Sequence, residues 1–158
     1  MIIRKANHGD IPQILVLLEQ VGEVHHQARP DLFRAGARKY DAAALARLFT
    51  DPARPVFAAM EADHMLGYCF CMLQEIHGDP VRTDYKTLYI DDLCVDEACR
   101  GQHVGSQLYH YARSYAQRQG CSSITLNVWA NNKNALDFYR SQGLRPQKIG
   151  MEAILEEV

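Results

Sequence analysis

A chain of 158 residues, 47% hydrophobic and 23% charged, can bury one core and is too short for two ordinary domains, so residues 1–158 are read as a single domain. A formal net charge of -2 and a pI near 6.4 give no general attraction for nucleic acid or an anionic membrane surface, and a charged ligand has to be met by a local site. No run approaches the roughly 18 to 20 apolar residues of a membrane span, and the N-terminus lacks the apolar stretch of a signal peptide, which predicts a cytoplasmic protein with no membrane partner.

Five cysteines, Cys69, Cys71, Cys94, Cys99 and Cys121, form an odd set with no C-x-x-C pair, mostly inside apolar runs. They predict free thiols in a reducing compartment. Cys69 and Cys71 fall on one side of a strand, but a zinc site needs two more ligands that no local spacing supplies, so no metal is expected.

Along the chain, Ile2-Ile3-Arg4 reads as a first strand. Asp10-Ile11-Pro12 supplies an N-cap acid and a first-turn proline, followed by apolar residues at 11, 14, 15, 18 and 21, the pattern of an amphipathic helix ending near Gly22. Residues 23–40 carry too much Pro, Gly and charge for one assignment, and a helix extension followed by a loop is one reading. Asp41 can cap a second helix through Ala42, Leu45, Leu48 and Phe49, stopped by Asp51-Pro52. Three strands follow at 55–61, 66–76 and 87–95, rich in β-forming residues. From Val104 the period is helical, with Leu108, Tyr111, Ala112 and Tyr115 on one face, until Gly120. A strand at 123–128, a helix at 132–142 stopped by Gly143, and a closing strand region at 146–155 complete the order. Three antiparallel strands feeding a β-α-β unit make a mixed sheet with helices on both sides.

Between the strand ending at Val95 and the helix starting at Val104 lies Arg100-Gly101-Gln102-His103-Val104-Gly105-Ser106. A helix N-terminus offers unpaired N–H groups and the positive end of the helix dipole, glycines let a ligand approach the main chain, and Arg100 adds a fixed charge. The loop reads as a pyrophosphate cradle, or as a plain structural joint. It is neither a P-loop nor a dinucleotide fingerprint, lacking both G-K-[ST] and G-x-G-x-x-G.

The stretch resembles instead the Q/R-x-x-G-x-G/A motif of the GNAT superfamily of acetyl-CoA-dependent N-acetyltransferases. Arg100 and Gly105 match, and His103 stands where the family has its first glycine. That departure is small if residue 103 has an ordinary helical φ, and larger if its φ is positive. Downstream, Asn132-Lys133-Asn134-Ala135-Leu136-Asp137-Phe138-Tyr139-Arg140-Ser141-Gln142-Gly143-Leu144 is similar to the family's N-x-x-A-x-x-F-Y-x-x-x-G-F signature, with only Leu144 departing. The resemblance covers most of the chain and is strongest from Leu88 to Leu144. It implies an α/β (α+β) GNAT fold with a mixed, mostly antiparallel sheet of six to seven strands and about four helices.

What the resemblance implies for chemistry starts with acetyl-CoA as cosubstrate. Main-chain groups of Leu93, Cys94 and Val95 would bind the acetyl carbonyl and pantetheine, residues Arg100 to Ser106 the diphosphate, and Asn132, Ala135 and Phe138 line the cofactor side of the last helix. Tyr139 would donate a proton to the leaving thiolate. An alkylamine of pKa about 10.4 costs roughly 4 to 5 kcal/mol to deprotonate at pH 7, so a proton acceptor is needed. Asp91 and Asp92 are adjacent acids inside an apolar strand, expensive unless paired or functional. In a regular strand they face opposite ways, which the β-bulge implied by the resemblance would change. Asp91 is the first choice of base, Asp92 the second, and Glu75 on the neighbouring strand a reserve; each has structural pairing as the alternative. His25, His26 and Arg29 lie in the region that commonly lines the acceptor site in this superfamily, against the plainer reading of a solvent-facing pair. Acylation of Cys94 is disfavoured because no His partner is evident from spacing.

The leading expectation is therefore acetyl transfer to a primary amine of a small cationic molecule, by direct attack in a ternary complex. Alternatives are acetylation of a protein N-terminus or lysine, and a non-catalytic acyl-CoA-binding sensor, which has no reason to keep Tyr139 or the strand acids. A homodimer is compatible with the superfamily.

Overall fold

A computed structural model describes residues 1–155. Its elements run β1 (Ile2–Lys5), α1 (Ile11–Ala28), α2 (Ala42–Leu48), β2 (Val56–Glu61), β3 (His64–Ile76), β4 (Tyr85–Val95), α3 (Val104–Arg118), β5 (Ser123–Leu126) and α4 (Lys133–Ser141). The chain forms two compact units, the first from Met1 to Asn127 and the second beginning at Val128. The first contains the whole sheet and α1 to α3; the second contains α4.

The strands lie in the order β1-β2-β3-β4-β5, with antiparallel pairs up to β4 and a parallel β4–β5 pair. This is the mixed sheet expected, but it has five strands among the described residues rather than six to seven. The closing strand predicted at 146–155 does not form. Residues 144–155 carry no regular structure, and Ile149, Met151, Ile154 and Leu155 are exposed. Their apolar spacing suits a strand, yet a strand is stable only beside a partner that satisfies its main-chain groups.

One face of the sheet packs Ala58, Met60, Tyr68, Phe70 and Cys94 against Ile14, Leu17 and Leu18 of α1 and Leu45 and Leu48 of α2. On the other face Phe57 meets Tyr111 and Tyr115 of α3 edge-on, with ring centroids 5.0 and 5.2 Å apart. The apolar strand runs and the period-3.6 helix faces thus meet as two layers of helix on one sheet.

Two local readings change. Asp10 holds the N-cap position of α1 as expected, but its side chain makes no cap hydrogen bond there; it closes a capping box with Asn7 and grips Arg4 through two hydrogen bonds of 2.7 and 2.8 Å. The first helix also runs past Gly22 to Ala28. Gly22 is a point of close approach, since a Cβ there would run into the carbonyl oxygen of Ala37. The segment between α1 and α2 therefore lies along the helix. Asp41 caps α2 as expected, its side chain accepting from the Ala44 N–H at 2.7 Å.

Candidate active site

The sheet opens where β4 leaves β5. Pairing between them covers only Thr87 to Ile90 against Ser123 to Leu126, so residues 91–95 have β3 on one side and no strand on the other among the described residues. At that point β4 carries a bulge: Ile90 pairs with Cys71 and Asp92 with Phe70, leaving Asp91 as the extra residue. A bulge bends the strand and re-aims its side chains.

Both carboxylates consequently find partners on the side covered by α1 and α2. Asp91 accepts from Lys39 Nζ at 2.7 Å and from the Tyr40 hydroxyl at 3.4 Å. Asp92 accepts from the Tyr68 hydroxyl at 2.7 Å. Burial holds the Asp92 carboxyl above the usual range, against the opposing pull of the Tyr68 hydrogen bond and of nearby Lys39 and His25. The fully buried Tyr68 phenol is pushed well above its ordinary value by burial and by the charge of Asp92. For Lys39, burial works against the ammonium, but the contact with Asp91 outweighs it and the net shift is upward.

Lys39 is presented by a braced segment. Tyr40 stacks on Phe70 at 5.6 Å and receives a 2.8 Å hydrogen bond from Arg54. Further back, His25 stacks on Phe33 at 5.0 Å, His26 Nδ1 lies 2.7 Å from the Phe33 carbonyl oxygen, and Arg29 grips Asp31 at 2.7 and 2.9 Å. The three residues expected at the acceptor site thus have partners within the segment that carries Lys39. Lys39, Tyr40 and Tyr68 went unnoticed in the sequence, because nothing local marks a lysine that meets a strand 52 residues later.

Glu75 stands elsewhere. It pairs with Lys86 at 2.7 Å and His77 at 3.1 Å, which hold its carboxyl below the usual range. It lies four residue steps along β3 from Cys71 at the bulge, about 13 Å at ~3.3 Å per residue. The Cys94 thiol is buried, 3.6 Å from the Leu17 carbonyl oxygen, and burial together with Asp92 pushes its pKa up to about 12. A thiol so held is a poor nucleophile at neutral pH.

After β4, Asp96 caps a short turn of helix through the Ala98 N–H, and Arg100 is extended. Gly101 has φ +77° and His103 has φ +62°, so His103 occupies the left-handed region at the N-cap of α3. The positive φ at residue 103, the less favourable of the two alternatives, is the one realised. The His103 side chain makes no cap hydrogen bond to α3, and the first-turn N–H groups of a helix have no intrahelical acceptor. Near the start of this loop, His64, Asp96 and Cys99 bring one ligand atom each within 4.8 Å of one another, a grouping invisible to local spacing.

In the second unit, Asn132 caps α4, its side chain accepting from the Ala135 N–H at 3.1 Å, and Gly143 ends the helix at φ +87°. Phe138 and Tyr139 meet edge-on at 4.9 Å. The asparagine, alanine and glycine of the downstream motif thus have structural work in starting and ending one helix. No helix among the described residues is long and apolar enough to cross a membrane.

Comparison with known proteins agrees with the fold. The acetyltransferase (GNAT) family profile matches residues 19–144. Thialysine N-epsilon-acetyltransferase of Sus scrofa is 25% identical over 155 residues, covering 92% of this chain and 84% of its own. A point mutant of the BH1408 protein from Bacillus halodurans superposes with a TM-score of 0.94 at 32% identity, covering 99% of this chain and 100% of that one. An aminoglycoside acetyltransferase from an uncultured soil metagenomic sample, crystallised with trehalose, shares the fold at a TM-score of 0.74 and 20% identity, covering 98% of this chain and 96% of that one. With the family profile spanning most of its length, the chain belongs to the acetyltransferase (GNAT) family and is an N-acetyltransferase.

Proposed function

We propose that the chain, working as one domain, transfers the acetyl group of acetyl-CoA to a primary amine of a small cationic molecule. The observation that carries this reading is the ion pair at the β4 bulge: the site already accommodates a primary alkylammonium, with Lys39 Nζ 2.7 Å from Asp91 and Asp92 beside it. A substrate ammonium would take the same place. The name of the Sus scrofa relative, an N-epsilon-acetyltransferase, supports an acceptor of this kind.

The residues present fit the cosubstrate. The unpaired edge at Leu93, Cys94 and Val95 offers main-chain donors and acceptors to an amide-bearing pantetheine chain, as a further strand would use them. Residues Arg100 to Ser106 suit a diphosphate, because the N-cap residue His103 spends no side-chain hydrogen bond on the N-terminus of α3 and Arg100 adds charge. Asp91, directly or through water, takes the proton that the ammonium must lose, and Asp92 is the alternative acceptor. Tyr139 protonates the departing thiolate, a role that rests on the family motif. With Cys94 held as a thiol, the amine attacks the thioester directly and no acyl-enzyme forms.

The test is CoA-thiol release by purified protein with acetyl-CoA and separate pools of polyamines, amino acids, aminoglycosides and short peptides. Turnover with a small-amine pool, reduced about 100-fold or more in Tyr139→Phe and in Asp91→Asn, is the expected result. Turnover confined to peptides overturns the substrate class. Acetyl-CoA binding without turnover in any pool would favour a sensor.

A further inference from the structure

We infer that Lys39 is itself an acetyl acceptor, a self-acetylation site built into the acceptor position. The inference rests on the transferase reading above and goes beyond it in naming a covalent modification of this chain.

Three observations converge on Lys39. Its Nζ sits 2.7 Å from Asp91, the residue assigned to collect the acceptor's proton. That carboxylate is the bulge residue at the start of the unpaired β4 edge, where the thioester is to lie. Finally, the segment presenting Lys39 is fastened from several directions: Ala37 against Gly22, Tyr40 on Phe70, and Arg54 on the Tyr40 hydroxyl. An amine held beside a reacting centre acts at an effective concentration far above that of a free amine. Lys86, also in the first unit, pairs instead with Glu75 well along the strand from the bulge.

In the step, Asp91 or a water bound to it removes one proton from the Lys39 ammonium. The freed nitrogen lone pair forms an N–C bond to the acetyl carbonyl carbon as the C–S bond breaks, and the sulfur leaves with the bond's electron pair. The nitrogen, now bonded to the acetyl carbon and still carrying two hydrogens, gives up its second proton, which the thiolate takes up; the products are Nε-acetyl-Lys39, CoA thiol and the first proton, passed on from Asp91 or its water to solvent. Acetylation removes the positive charge, so the ion pair with Asp91 is lost and the carboxylate is open to an incoming ammonium. Lys39 is thus both the resident occupant of the ammonium position and its first substrate.

The experiment incubates the full chain with acetyl-CoA and no added amine, then maps acetylation by mass spectrometry of Glu-C peptides over time. Lys39 is expected to be acetylated at least about tenfold faster than Lys133 or Lys148, with a first-order rate constant independent of protein concentration. Excess acceptor amine slows the modification, Asp91→Asn slows it, and Lys39→Arg abolishes it at that position without a matching gain elsewhere. Labelling of Lys39 no faster than of Lys133 overturns the inference, and if amine turnover proceeds in the same preparation the transferase reading stands. A rate constant that rises in proportion to protein concentration also overturns it, since the acceptor would then be another molecule. Neither labelling nor amine turnover overturns both.

Discussion

Replacing His103 with glycine is expected to stabilise the protein relative to replacing it with alanine. His103 is exposed, makes no capping hydrogen bond, and has φ +62°, so its side chain contributes little while its Cβ strains the main chain. A left-handed conformation costs an L-residue about 1–2 kcal/mol. Glycine escapes that cost but loses about 0.4–1 kcal/mol through the greater freedom of the unfolded chain. The difference leaves His103→Gly about 1 kcal/mol more stable than His103→Ala, or about 2–4 °C in Tm for a chain of this size. Histidine tolerates this region better than alanine, so the wild type falls between them. Thermal unfolding followed by circular dichroism reads the order, and calorimetric titration with acetyl-CoA reads the cradle. If main-chain N–H groups do the binding, the Kd of His103→Gly stays within about twofold of wild type. An alanine variant as stable as the glycine variant refutes the strain argument, and a glycine variant that binds about tenfold more weakly shows that the imidazole takes part.

Asp92→Asn is expected to raise stability while lowering turnover. The folded state holds the Asp92 proton more tightly than the unfolded chain does, so ionisation lowers stability as pH rises through the folded-state pKa. Asparagine can still accept from Tyr68 and avoids that loss, so the Tm advantage of the variant should grow from about pH 4 upward; an advantage that shrinks with pH contradicts the assignment. At Gly67 an added Cβ would stand 2.6 Å from the Cys94 carbonyl oxygen and 3.2 Å from both Leu108 Cδ1 and Val95 Cα. Gly67→Ala should therefore cost about 1–3 kcal/mol in denaturant unfolding and disturb the β4 edge, and an unchanged midpoint refutes the close approach.

The elements of the sheet were legible because their composition is distinctive: β2, β3 and β4 are runs of β-forming residues, α3 shows helical spacing, and Gly120 and Gly143 mark helix ends by a positive φ. Where the sequence misled, the competing cause was tertiary. Gly22 looked like a stop, and is instead the place where Ala37 crosses a continuing helix. Residues 146–155 had the apolar content of a strand, yet they carry no regular structure and leave Ile149, Met151, Ile154 and Leu155 exposed. In the site, adjacent acids in an apolar strand pointed to Asp91 and Asp92, but their shared side depends on a bulge that no propensity encodes. Lys39 and Tyr40 lay in the segment whose composition gave no period, and their value comes from a contact across the fold.

The most direct test of the central claim is the initial rate of CoA-thiol release with a series of ω-ammonium compounds of lysine-like length, beside the corresponding ω-hydroxy compounds. Saturable turnover is expected with the amines and none with the hydroxy compounds, with a kcat/KM for the amines that falls about 100-fold or more in Asp91→Asn. Equal rates with both series, or an Asp91→Asn enzyme as fast as wild type, contradicts an ammonium held and deprotonated at the β4 bulge.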